Sequence, residues 1–154
     1  MLETNQTAPD FISVDELGNT LCLKDFKALK NVVLYFYPKD DTSGCTIEAN
    51  QFTSLVNEFD KLDTIIIGVS KDSCDSHQAF IEKFGLKVRL MADTSGEVCE
   101  AYGVWQEKEK NGVKKMGIVR STFIIDKNAN LLSVEYGVNA DGHAQSVLDF
   151  LSKQ

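Results

Sequence analysis

No apolar run in this sequence approaches the roughly 18 residues of a membrane-spanning helix, so a helical membrane protein is excluded. A basic block is missing too: 16 basic residues stand against 23 acidic ones, for a net charge of −7. That sign repels phosphate backbones and anionic lipid, and neither nucleic acid nor a membrane is expected as a partner. Histidine is reduced to His77 and His143, and the cysteines Cys22, Cys45, Cys74 and Cys99 lie 23, 29 and 25 residues apart. Without CxxC pairs there is neither a zinc knuckle or ribbon nor a dithiol oxidoreductase motif, and no metal site is expected. Repeats and low-complexity stretches are absent, which leaves a single domain over residues 1–154 as the expectation. The opening Met1-Leu-Glu-Thr-Asn-Gln6 offers neither the basic nor the apolar region of an export signal. The chain is therefore read as cytoplasmic, where four thiols stay reduced and each must be judged by its own surroundings.

What the sequence does contain is a folding pattern. Hydrophobic residues make up 43% of 154 residues, enough to build a core without covalent staples. Val32–Tyr37 is an unbroken apolar run closed by Pro38, as suits a strand covered on both faces. Phe52, Leu55, Val56 and Phe59 then recur at helical spacing. Thr64–Val69 is a second buried strand, followed by a helix with Phe80, Ile81 and Phe84 on one face, Ser73 as its N-cap and Gly85 as its stop. Arg89–Ala92 reads as a short strand and Glu97–Tyr102 as a short helix. Ser121–Ile125 and Leu131–Tyr136 read as a hairpin, and Ala144, Val147, Leu148 and Leu151 mark a last helix. The segment from Phe11 to Leu23, turning at Glu16–Asn19, reads as an added N-terminal hairpin. The mixed-charge stretch Glu107–Lys115 reads as a solvated loop. The order βαβα, ββ, α is that of a thioredoxin-like α/β fold, a central mixed sheet flanked by helices.

Cys45 falls just beyond the carboxyl end of the Val32–Tyr37 strand, at the start of the next helix, the edge where open α/β sheets bind ligands. Helix N-termini present free N–H groups and partial positive charge, which favours thiolate over thiol. For a cysteine of ordinary pKa, about 8.5, lowering that value to about 6 raises the thiolate fraction only roughly 30-fold at neutral pH. Fast chemistry on an oxygen that gains charge therefore also needs donors aimed at it. Thr42 and the backbone N–H groups of Gly44 and Cys45 are candidates, as is Arg120, a cation at the start of an apolar strand. Pro38 fixes the entry to the loop and could shield the sulfur from water. Each has a plainer reading: Thr42 as a turn or cap residue, Arg120 as a surface charge, Cys45 as an inert buried thiol.

Pro38, Thr42 and Cys45, within Tyr35-Phe-Tyr-Pro-Lys-Asp-Asp-Thr-Ser-Gly-Cys45, resemble the Pro-x-x-x-Thr-x-x-Cys signature of peroxiredoxins. Gly68-Val-Ser70, the segment around His77 and Arg120-Ser-Thr-Phe-Ile-Ile-Asp126 resemble the bacterioferritin comigratory protein, or peroxiredoxin Q, branch. The resemblance runs from Ala8 to Gln145 and implies a thiol peroxidase that needs no metal, haem or flavin. It implies that Cys45 attacks a hydroperoxide and becomes a sulfenic acid, while Thr42 and Arg120 hold the peroxide oxygens. Glu48, one turn on, either orients Arg120 or is an exposed acid at a helix start. Thioredoxin or another thiol would be the reductant, and the branch suggests a monomer.

Two positions depart from the pattern. Ser43 replaces a frequent proline and leaves every proposed donor in place. Asn50 stands where many members carry the resolving cysteine, which closes that route. Cys74, which follows the second strand, is the first candidate to resolve Cys45, then no internal resolver at all, then Cys99; Cys22 and Cys99 read chiefly as inert thiols. His77 reads as a helix-packing histidine rather than a proton donor, and Tyr102 and Trp105 as core rather than as cover for the site. A peroxide sensor or holdase would need an exposed apolar segment or long amphipathic tail, which the chain lacks.

Overall fold

A computed structural model describes residues 1–154. Nine strands and five α-helices follow in chain order. They are β1 (Ile12–Val14), β2 (Thr20–Cys22), β3 (Asn31–Phe36), α1 (Ser43–Ser54), α2 (Val56–Asp60), β4 (Thr64–Ser70), α3 (Cys74–Phe84) and β5 (Arg89–Ala92). Then come α4 (Glu97–Ala101), β6 (Trp105–Lys110), β7 (Val113–Ile118), β8 (Ser121–Ile125), β9 (Leu131–Tyr136) and α5 (His143–Ser152). The central sheet has the order β5-β4-β3-β8-β9, with β3, β4 and β5 parallel and β8 and β9 antiparallel to their neighbours. This is the expected thioredoxin-like α/β arrangement with β1–β2 as an antiparallel hairpin beside it.

The alternation of side chains along β3 divides the core into two layers. Val32, Leu34 and Phe36 face α4 and the N-terminal segment, packing with Phe123, Val98 and Tyr102. Val33, Tyr35 and Tyr37 face the other way, against Phe52, Phe59, Phe80 and Val147 from α1, α2, α3 and α5. β3 is buried along nearly its whole length because helices cover both faces, which is why it reads as a continuous apolar run.

α3 has the ends its sequence implies. The Ser73 hydroxyl accepts from the Ser76 amide, and Gly85 closes the helix at φ 63°. The apolar spacing from Phe52 to Phe59 is shared between two helices, since Leu55, at φ −105° and ψ 5°, breaks α1 from α2. The stretch Glu107–Lys115 is not a loop. It is the end of a two-stranded ribbon, with Lys110 paired to Val113 and Trp105 to Ile118. Its turn is Asn111-Gly112, both at positive φ, the backbone that two-residue hairpins require. Because much of the ribbon is exposed on both faces, no apolar alternation betrays it. No helix is long and apolar enough to cross a membrane.

Candidate active site

β3 ends at Phe36, and the chain turns through Tyr37–Asp41 before α1 begins. Asp41, at φ 57°, takes the left-handed conformation that aspartate tolerates better than most residues. Pro38 stands exposed at the surface just after the strand. Thr42 is the N-cap residue of α1, but its side chain caps nothing. Its hydroxyl donates to the Lys39 carbonyl at 2.9 Å, which makes Thr42 a turn residue here, with no hydrogen bond to the sulfur.

Cys45 lies in the first turn of α1 and is 2% exposed. Arg120, immediately before β8, reaches it from the neighbouring strand: Nη2 donates to Cys45 Sγ at 3.3 Å while Nη1 donates to Glu48 Oε1 at 2.7 Å. One guanidinium thus holds a thiol and a carboxylate one helical turn apart, its planar fork meeting both. Gly44 makes the approach possible, because a Cβ there would sit 3.2 Å from Arg120 Nη2. The surface-charge reading of Arg120 and the exposed-acid reading of Glu48 are both overturned, since Glu48 is fully buried against the guanidinium.

Burial dominates the electrostatics. It pushes Glu48 up to about 7 against the opposing pull of Arg120. Burial also works to lower Arg120, but the Glu48 and Cys45 charges outweigh it, and the guanidinium is held above its usual range. Glu48 Oε2 and the Tyr35 hydroxyl are both buried without a hydrogen-bond partner. Burial, then the Glu48 and Cys45 charges, drive the Tyr35 phenol well above its ordinary value, so it stays neutral.

The other thiols are dispersed, and all four are free. Cys74 opens α3, half-buried, at the same sheet edge as Cys45, because each follows one of two adjacent parallel strands. Its Sγ donates to the Asp15 carbonyl of the N-terminal hairpin at 3.4 Å. Cys99 is fully buried in α4; burial first, and then Asp93, push its thiol far up, as fits an inert core residue. Cys22 ends β2. Tyr102 belongs to the core with its hydroxyl on the Pro9 carbonyl, and Trp105 lies under Lys71; neither is bonded to the Cys45 group.

His77 does pack in the core, as its helix face implies, but it is also bonded at both nitrogens. Nδ1 lies 2.7 Å from Asp40 Oδ2 and Nε2 lies 2.9 Å from the Met91 carbonyl. Asp40, unmarked by sequence reasoning, sits between Pro38 and Thr42 as the hub of this second group. Apart from Tyr37, its partners Asp72, Ser76 and His77 stand more than 30 residues away in the chain, and no local pattern announces them.

Known proteins resemble this chain in sequence and fold. The family model described as the AhpC/TSA family matches residues 4–134. Peroxiredoxin Bcp of Bacillus subtilis is 43% identical over 150 residues, covering 97% of this chain and 95% of its own. The solved structure of the Xanthomonas campestris bacterioferritin comigratory protein, studied for alkyl peroxide reduction, superposes with a TM-score of 0.88. It is 36% identical and covers 93% of this chain and 90% of its own. A cysteine-to-serine mutant of Xylella fastidiosa peroxiredoxin Q superposes at 0.93, with 31% identity over 99% of this chain and 97% of its own. With the fold, the signature loop and these likenesses in agreement, the chain belongs to the AhpC/TSA family, in its bacterioferritin comigratory protein or peroxiredoxin Q branch of peroxiredoxins.

Proposed function

We propose that this peroxiredoxin reduces hydrogen peroxide and alkyl hydroperoxides with Cys45 as its peroxidatic residue. The observation that carries the reading is the bridge from Arg120 to both Cys45 Sγ and the buried Glu48. A cation fixed against the sulfur stands ready for the oxygen that becomes negative when the sulfur attacks.

In the first step the Cys45 thiolate attacks the terminal oxygen of R–O–O–H. An S–O bond forms, the O–O bond breaks, and Cys45 becomes a sulfenic acid while RO⁻ leaves and takes a proton to become water or alcohol. Arg120 stabilises the leaving oxygen, and Glu48 keeps the guanidinium in place. Thr42 would contribute its hydroxyl by turning from the Lys39 carbonyl to the bound peroxide, a single χ1 rotation, and Pro38 limits water at the loop entrance. The chemistry needs no cofactor, because sulfur itself takes up the change in oxidation state.

In the second step a thiol condenses with the sulfenic acid, releasing water and forming a disulfide. Cys74 is the proposed internal resolver, and thioredoxin or another cytoplasmic dithiol would then reduce the Cys45–Cys74 bond. Without such a resolver the external thiol attacks Cys45 directly. The protein would work as a monomer, with a hydroperoxide and a thiol reductant as its partners.

Coupling the protein to thioredoxin, thioredoxin reductase and NADPH tests the reading. Catalytic NADPH oxidation on adding peroxide is expected, and its loss in Cys45→Ser. Oxidation of one equivalent without turnover, or turnover that survives in Cys45→Ser, would refute it.

A further inference from the structure

The loop between Pro38 and Thr42 is gripped by α3 at several points. The Asp40 carboxylate is 4% exposed, and Tyr37 Oη donates to its Oδ1 at 2.5 Å. Ser76 Oγ donates to Oδ2 at 2.8 Å, and His77 Nδ1 lies 2.7 Å from the same oxygen. The Asp40 amide donates to Asp72 Oδ2 at 2.8 Å, an oxygen that also accepts from Ser70 Oγ at 2.7 Å. Asp41 adds an exposed pair with Lys83 at 2.7 Å.

Hydrogen-bond geometry constrains where the protons sit. His77 is fully buried, and its Nε2 faces the Met91 carbonyl, which can only accept, so Nε2 carries hydrogen. Nδ1 faces Asp40 Oδ2, so a proton lies between them, and with the carboxylate ionised that proton is on Nδ1. Tyr37 does not relieve this, because its single hydrogen points to Asp40 Oδ1 at 2.5 Å and not to Nδ1 at 3.4 Å. The Asp40, Asp72 and His77 ligand atoms lie within 4.8 Å of one another, and neither aspartate has a lysine or arginine partner. His77 is the one basic side chain in direct contact with the Asp40 carboxylate. Its direct contact with Asp40 is a hydrogen bond, too short to admit an ion between them.

We infer that Asp40 is a positioning residue for the Cys45 loop, clamped to α3 by a His77 imidazolium that carries a proton on each ring nitrogen. Asp40 does not touch peroxide. It holds the turn that ends at Thr42 and so sets where the Cys45 sulfur and the first amides of α1 stand relative to Arg120. The inference rests on Cys45 being the peroxidatic residue.

Two reagents separate positioning from mere activation of the thiol. Peroxide reduction needs sulfur and donors in register, whereas alkylation by iodoacetamide needs only thiolate and access. In Asp40→Asn, assayed well below its melting temperature, the second-order rate with hydrogen peroxide is expected to fall about 10- to 100-fold, as a misplacement near 1 Å produces. Alkylation of Cys45 is expected to be retained or faster. A peroxide rate within about twofold of wild type, or equal falls in both rates, would overturn the inference. Cys45→Ser is assayed alongside: if it still turns over peroxide, it is the assignment of Cys45 that fails, not the clamp. Nitrogen NMR of the reduced wild type at neutral pH supplies a readout that needs no variant. Protons on both His77 nitrogens are expected, and a bare Nδ1 would overturn the clamp even if Asp40→Asn does not fold.

Discussion

Burying a carboxylate is costly unless its charge and all its lone pairs are met, and Glu48 meets this requirement only in part. Oε1 accepts from Arg120, but Oε2 is buried with no partner, and burial drives the group up to about 7. In the unfolded chain the carboxyl returns to its ordinary value near 4.5, so between those two values the folded state holds a proton that the unfolded state has released. The stabilising contribution is therefore complete below about 4.5 and lost as pH rises through about 7. Its size is on the order of 3 kcal/mol. Urea denaturation of wild type and Glu48→Gln at pH values on either side of this window should show the difference moving in favour of glutamine by that order as pH rises. A difference that stays constant with pH would reject the burial account. The same variant should reduce peroxide more slowly, by roughly tenfold, because a neutral amide holds Arg120 less firmly than a carboxylate does.

At the scale of elements, side chains of β3 and β5 close over β4 at Gly68 on one face of the sheet. A Cβ at that position would lie 2.7 Å from Tyr35 Cζ and 2.8 Å from Leu90 Cδ2, both in the core. Gly68→Ala should therefore cost roughly 1–3 kcal/mol in urea denaturation through overpacking. Gly117→Ala, on the exposed ribbon β6–β7, is the matched control. Its nearest neighbour is the flexible Lys108 side chain at 3.0 Å, and a change within roughly 0.5 kcal/mol is expected. Equal effects at the two positions would mean that the Tyr35 and Leu90 side chains can give way more easily than their burial implies. The same contrast explains what could be read from the chain. Buried strands and α3 were legible because core contact imposes apolar runs, caps and stops on their residues. The ribbon was not, since exposed strands of mixed charge look like loop, although Asn111-Gly112 was a turn signal open to view. Cys45, Glu48 and Arg120, which the structure brings together, were singled out through their motif context. Asp40 and His77, 37 residues apart, meet only through the crossover between β3 and α3, and a local pattern cannot encode that meeting.

For the molecule as a whole, the open question is which contacts must loosen during one redox cycle. With Asn50 in place of a thiol on α1, an internal disulfide has to link Cys45 to another element, and α3 offers the one half-buried thiol at the same sheet edge. Cys74 is not free to move as it stands. Its thiol donates to Asp15, Gln78 donates to the Glu16 carbonyl, and Arg89 pairs with Asp15 at 2.7 Å, so the N-terminal hairpin pins the start of α3. Cys45 is pinned by Arg120 on its own side. A disulfide needs a narrow range of torsions, so forming the proposed bond breaks the hydrogen bonds that hold both thiols and is expected to loosen the first turns of α1 and α3. One equivalent of peroxide should then lower the intact mass by about 2 Da as two hydrogens leave, and Cys74→Ser should instead gain about 16 Da as sulfenic acid persists. Amide exchange should quicken over residues 40–48 and 73–78 in the oxidised wild type and remain slow in oxidised Cys74→Ser. A gain of about 16 Da in the wild type would mean that the clamped fold never opens and an external thiol does the resolving. A loss of about 2 Da that persists in Cys74→Ser would move the partner to Cys22 or Cys99, and for buried Cys99 that would demand opening of the core itself.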